Sequence, residues 1–120
     1  MWLTPHRFQH FLIILSMNSV MIYHIIEEGL WEEIKNQNYF RPESLEGEGF
    51  VHFSKEDQVE KIADFQDRNV AETLVLEIDE ERLDSELRFE GDEEKFPHLY
   101  GPLNLGAVVS VRSLGEFLDE

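Results

Sequence analysis

Three imidazoles carry the chemical interest of this 120-residue chain. Of its five histidines, His24, His52 and His98 fall in the most ordered-looking stretches, residues 21–26, 48–54 and 96–102. An unperturbed histidine titrates near a pKa of about 6.5, which suits acid–base or orienting work at neutral pH. Neutral imidazole is also a common metal ligand. The spacing here matches no local metal motif such as H-E-x-x-H, so the metal signal is weak and no metal ligand is assigned. The plain alternative for each ring is a partly buried histidine satisfied by a backbone carbonyl.

Position favours a site. His52 lies near the end of a strand, and Ser54 stands where that strand turns into a helix. A serine there can cap the first turn, and the exposed N–H groups of a helix start bind anions. A ligand carboxylate or phosphate would fit at that junction. His98 and Tyr100 lie between Pro97 and Pro102, in what reads as a stiff loop. Glu90, at a strand end before the acidic stretch 91–95, is the carboxylate best placed to join them. Arg41, between Tyr39-Phe40 and Pro42, could hold an anion. The candidate catalytic residues are therefore His24, His52 and Glu90. The candidate ligand contacts are Arg41, Ser54, His98 and Tyr100. No cofactor is specified by these residues.

The elements that must position them alternate in type. Residues 21–26 form an apolar, β-branched run that predicts a strand, with His24 sharing a face with Ile22 and Ile26. A helix is expected from 27 to about 36, with Leu30, Trp31 and Ile34 inward. Residues 39–42 read as extended, and 44–49 as a glycine-containing turn. The strand 50–53 leads into a second helix whose inward face is Val59, Ile62, Ala63 and Phe65-Gln66. Residues 73–78 are the clearest strand and belong at the centre of a sheet. Further strands are expected at 87–90 and 105–112, with 114–118 closing the chain. There is no regular βαβ repeat and no phosphate-binding glycine loop. The expected class is α+β, a mixed, mainly antiparallel split sheet with two or three helices.

Composition sets outer bounds. A 42% hydrophobic, 12% aromatic chain of this length supports one core and therefore one domain, placed at 21–120. The absence of cysteine excludes disulfides, thiolate metal sites and cysteine nucleophiles, and fits a reducing, cytoplasmic setting. The formal charge of −16 opposes binding to nucleic acid or to anionic membranes. Residues 1–20 carry one formal charge, Arg7, and a short apolar run at 11–15. They read either as a signal peptide or as an extension ahead of a start at Met21. We take the second, because Met21 opens directly into a strand, and expect the extension to be disordered or loosely helical.

The same ordered stretches resemble a known family, the domain of unknown function 952 proteins of bacteria and plants. The resembling residues include Tyr23-His24-Ile25, Trp31, Ser44-Leu45, residues 48–54, Gln58, Leu74-Val75-Leu76, Phe89-Glu90 and Phe96-Pro97-His98-Leu99-Tyr100-Gly101-Pro102. The resemblance runs from Met21 almost to the C-terminus. It implies an ADP-ribosyltransferase-like fold with a cleft in a split sheet, and no established activity. In that fold a first-strand His or Arg, a second-motif Tyr or Ser and a late Glu hold NAD. His24, Ser54 and Glu90 occupy the matching places.

Three functions follow as expectations. The first is a cleft for a nucleotide-like or other anionic small molecule, with possible transferase chemistry by fold analogy. The second is a non-catalytic interaction module with structural histidines, and the third a metal-dependent hydrolase. The oligomeric state is left open.

Overall fold

Period-two alternation builds the first sheet. The computed structural model describes residues 20–120, and the reading of the extension over 1–19 lies outside them. Strand β1 (Met21–Glu27) pairs with β4 (Thr73–Asp79), and β4 with β8 (Val108–Ser113). The clearest strand of the sequence is thus the central one. Ile22 and Ile26 enter one apolar cluster with Leu76, Ile78 and Phe53, while Tyr23 and Ile25 enter another with Val59, Ala63 and Val75. His24 lies on the first face, as the alternation requires.

The second sheet is β3 (Val51–His52), β6 (Phe96–Tyr100) and β5 (Glu86–Glu90), with β6 central. A two-residue ribbon pairs β2 (Tyr39–Phe40) with β7 (Leu103–Asn104). All pairings among the described strands are antiparallel. Among the described residues four short α-helices, against an expectation of two or three, complete the fold: α1 (Glu28–Ile34), α2 (Glu43–Gly47), α3 (Val59–Phe65) and α4 (Leu114–Leu118). The class is α+β.

One rung joins the two sheets. Ser54 and Tyr23 exchange backbone hydrogen bonds of 2.8 Å in both directions. Continuing that register would set Ile25 opposite His52, yet the bridge is isolated. The carbonyl of His52 is taken instead by the side chain of His24, whose Nδ1 lies 2.7 Å away. Pro97 shortens the pairing on the other side of β3. Its carbonyl accepts from the Phe53 N–H at 3.0 Å, but it has no N–H to return. Past the bridge, β1 therefore keeps a free edge, and the sheet is split.

Three local expectations are corrected. Residues 97–102 are not a loop between prolines: His98 and Tyr100 sit on the central strand β6. Alternation puts Pro97 and Leu99 in the core and His98 and Tyr100 on the other face. The turn at 44–49 begins as helix α2, and only Gly49, at φ 92°, uses a glycine-favouring angle there. Ser54 caps no helix. Its backbone is spent on the bridge, and the next turn (Glu56–Gln58) opens at Lys55.

The helices also depart from the expected faces. In α1, Ile34 is buried and Trp31 packs on the core, but Leu30 is exposed. In α3, Val59 and Ala63 are buried, whereas Phe65 is 87% exposed. That helix ends in a Schellman turn: Asp67 adopts φ 55°, and the Arg68 N–H returns to the Ala63 carbonyl at 3.0 Å. Helix α4 opens with a capping box, in which Ser113 Oγ accepts from the Glu116 N–H and Glu116 Oε1 accepts from the Ser113 N–H, each at 3.1 Å.

Gln58 is the polar anchor of the core. It is fully buried. Its Oε1 accepts from the Lys55 N–H at 2.9 Å, and its Nε2 donates to the Lys95 carbonyl at 2.8 Å and to Glu94 at 3.0 Å. The side chain thereby ties the start of α3 to the approach to β6. Gln58→Leu removes three hydrogen bonds of a buried amide, each worth roughly 0.5–1.5 kcal/mol and more for the one to the Glu94 carboxylate. The expected loss of stability in urea unfolding is about 2–4 kcal/mol, and a loss within experimental error would show that these bonds are replaceable.

Candidate functional site

The free edge of β1 floors a cleft of about 680 Å³. Consecutive residues from Tyr23 to Glu27 all line it, as a strand edge allows and a strand face does not. The Tyr23 N–H and C=O point across to Ser54. By alternation, those of Ile25 point into the opening. Leu30, Ile62 and the exposed Phe65 give the lining apolar surface, while His24, His52, Ser54 and His98 supply polar groups. The volume is within the range of about 300–1,000 Å³ usual for ligand pockets.

His24 is held as a neutral acceptor. A carbonyl only accepts, so Nδ1 carries the proton that bonds His52 O. Nε2 is then the nitrogen with the lone pair. Withdrawal from water lowers the ring's pKa to about 4, against the opposing pull of the His52 carbonyl, and the positive charge of Arg68 lowers it further. The ring of Phe53 stands 5.4 Å from it and that of Phe40 5.8 Å, centroid to centroid.

His52 and His98 face one another across β3 and β6, as directly paired residues. Their rings lie 5.6 Å apart, edge to face. Each is oriented by a carboxylate. His52 Nε2 is 2.8 Å from Glu48 Oε1, and His98 Nδ1 is 3.0 Å from Glu90 Oε1. Phe50 stacks on His98 at 4.0 Å with an interplanar angle of 18° and meets the edge of His52 at 4.9 Å. The sharing of a face by Phe50 and His52 follows the strand alternation.

Glu90 also accepts from the Tyr100 hydroxyl. That bond, with the one from His98, holds the Glu90 carboxyl below the usual range and pushes the Tyr100 phenol up. The Arg88 guanidinium covers the Tyr100 ring at 4.3 Å. Glu90 and Tyr100 thus stand behind His98, outside the cleft lining. A carboxylate that fixes one imidazole nitrogen leaves the other for a ligand, a role the geometry gives to Glu90.

The seven residues singled out from the sequence divide into three groups. His24, His52, Ser54 and His98 meet at the cleft. Glu90 and Tyr100 support His98. Arg41 is exposed and does not line the cleft, although its neighbour Pro42 does. Sequence reasoning missed Arg68, the only Lys or Arg on the cleft lining among the described residues, and the exposed ring of Phe65. It also missed Glu48, whose spacing of four from His52 was the available signal. For Arg68 the signal was the helix-ending run Asp67-Arg68-Asn69, which shows a turn but not what it faces. Among the described residues no three His, Asp or Glu side chains are grouped to hold a metal ion. No helix among them is long and apolar enough to cross a membrane.

Comparison with solved structures finds the same fold elsewhere. The crystal structure of protein CC0527 from Caulobacter crescentus superposes with a TM-score of 0.70 at 27% identity, covering 83% of this chain and 99% of that one. The solution NMR structure of CC0527 gives a TM-score of 0.66 at 29% identity, covering 78% of this chain and 83% of that one. No protein with a curated description matches. The model of the family described as protein of unknown function (DUF952) matches residues 25–111, a span that contains His52, Ser54, Glu90, His98 and Tyr100. With that match over most of its length, the chain belongs to the DUF952 family.

Proposed function

We propose that the cleft binds an anionic, nucleotide-like small molecule of the NAD type, on a split sheet of the ADP-ribosyltransferase kind. The observation that carries this reading is the convergence of His24, His52, His98 and Ser54 on one concave surface beside a free strand edge. Each part answers a feature of such a ligand. The Ile25 N–H and C=O form a donor–acceptor pair that complements a carboxamide. The free Nε2 of His24 accepts from a hydroxyl. The aromatic and aliphatic walls take a planar ring. His24 on the first strand, Ser54 at the seam and Glu90 on a later strand follow the order of the ADP-ribosyltransferase motif. Glu90 departs from it by acting through His98 rather than at the ligand. Transferase chemistry would use His98, with Nδ1 held by Glu90 and Nε2 left to move a proton.

Isothermal titration with NAD and ADP-ribose tests this. Heat of binding is expected, and His52→Ala is expected to weaken it roughly tenfold, about 1.4 kcal/mol. Silence with every nucleotide, together with lowered stability on replacing His24 or His52, would instead favour an interaction module with structural histidines.

The neutral state of His24 gives two pH signatures. Binding to its Nε2 stays level through pH 6.5 and falls only as pH approaches 4, where the ring takes a proton. If the fall near pH 4 persists unchanged in His24→Phe, His24 is not the group responsible. Stability carries the same sign. The unfolded ring protonates near 6.5 and the folded ring near 4, so the unfolded chain binds the extra proton between them. This part of the stability is full above 6.5 and is lost as pH falls to 4. Replacing the ring with one that cannot titrate, in His24→Phe, should flatten the slope of urea-unfolding stability across that window.

A further inference from the structure

The mouth of the cleft holds two side chains that the fold does not use. Phe65 ends α3 with its ring 87% exposed, although it lines the opening. Leaving an aromatic ring in water forgoes the free energy its burial would yield, roughly 1.5–3 kcal/mol. Arg68, three residues on, is the only Lys or Arg on the lining among the described residues. Lys35, Lys61, Arg82, Arg88 and Arg112 are paired with carboxylates, whereas the other described cations without an ion pair, Arg41, Lys55 and Lys95, do not line the cleft. No described carboxylate forms an ion pair with Arg68, in a chain of 26 acidic and 10 basic residues.

Arg68 is nonetheless held in place. The Schellman turn fixes its backbone, and its Nε donates to Gln66 Oε1 at 2.8 Å. That bond occupies one edge of the guanidinium and leaves the terminal nitrogens with donors to spare. A second, polar hollow of about 380 Å³ flanks the other side of Arg68, lined by Glu27, Asp67 and Glu72 among others. Asp67 and Glu72 line only this hollow and disfavour an anion there, whereas Glu27 lines both it and the cleft.

We infer that Phe65 and Arg68 form a two-point recognition site at the cleft mouth for a planar ring joined to a phosphate, the ring stacking on Phe65 and the phosphate accepting from Arg68. The inference rests on the proposed nucleotide-binding reading and deepens it by naming the groups read at the mouth. Guanidinium donors match phosphate oxygens in a fork, and stacking on an exposed aromatic tolerates any base. A mononucleotide carries both features and is the smallest complete ligand for the pair.

The test uses the full chain and three probes, 5′-AMP, adenosine and inorganic phosphate, titrated at constant ionic strength, with NAD alongside. The wild type should bind 5′-AMP at least tenfold more tightly than adenosine or phosphate. Arg68→Gln should bring 5′-AMP down to the adenosine level and leave adenosine unchanged. Phe65→Ala should weaken 5′-AMP and adenosine alike, by roughly tenfold. Both side chains are outside the core, and melting curves of the variants should overlay that of the wild type. If 5′-AMP binds and Arg68→Gln holds it as tightly, the inference fails while the cleft reading stands. Binding of NAD without binding of 5′-AMP would overturn the inference in the same way. If neither binds to the wild type, the cleft reading fails and the inference with it.

Discussion

The hydrogen bond from His24 Nδ1 to the carbonyl of His52 is the constraint on which the site depends. It stands where a second backbone rung would otherwise join the two sheets. By taking that carbonyl, the imidazole both satisfies an acceptor left out of the backbone ladder and ends the ladder. Three consequences follow from the one bond. The edge of β1 stays open, the tautomer of His24 is fixed, and β3 and β1 remain close enough for Ser54 to bridge them. A carbonyl cannot donate, so in the neutral ring the second nitrogen must be an acceptor.

Charge is arranged around this opening in two layers. Outside, the chain is strongly acidic, with a formal charge of −16. Inside, His52 and His98 each lean on a carboxylate that orients them, Glu48 and Glu90. Tyr100 donates to Glu90 and Arg88 covers the Tyr100 ring, so His98 is backed from outside the cleft lining by a chain of hydrogen bonds and ring contacts. Arg68 is the exception, a cation on the lining without a carboxylate partner. Such a group costs little where it can reach water and gains most when a ligand brings the missing charge.

The sequence was most legible where a single periodicity decides the outcome. The alternation in β1 placed Ile22, His24 and Ile26 on one face, and the apolar run at β4 made it central. The pairing of Phe50 with His52 on one face came from the same rule. Legibility failed where a local preference met a tertiary demand. Two prolines around His98 and Tyr100 suggested a loop, yet Pro97 can sit in β6 because its missing N–H costs a rung only toward β3. Ser54 had the type of a helix cap, but its backbone was claimed by Tyr23. Phe65 had the spacing of a core residue at the end of α3, where the core stops at Ala63.

By itself, then, the sequence determined the strand faces, the α+β class and the three histidines worth following. These rest on short-range rules: side-chain period, turn chemistry and the solubility of charge. Only the tertiary structure decided that His24, His52 and His98 share one cleft, that Glu90 and Tyr100 stand behind His98, and that Arg68 rather than Arg41 reaches the opening. Those facts depend on which strands become neighbours and on where one ladder stops. A ladder stops for reasons far apart in the chain, here a histidine at 24 and a proline at 97 acting on the two sides of β3. No local pattern encodes that pairing.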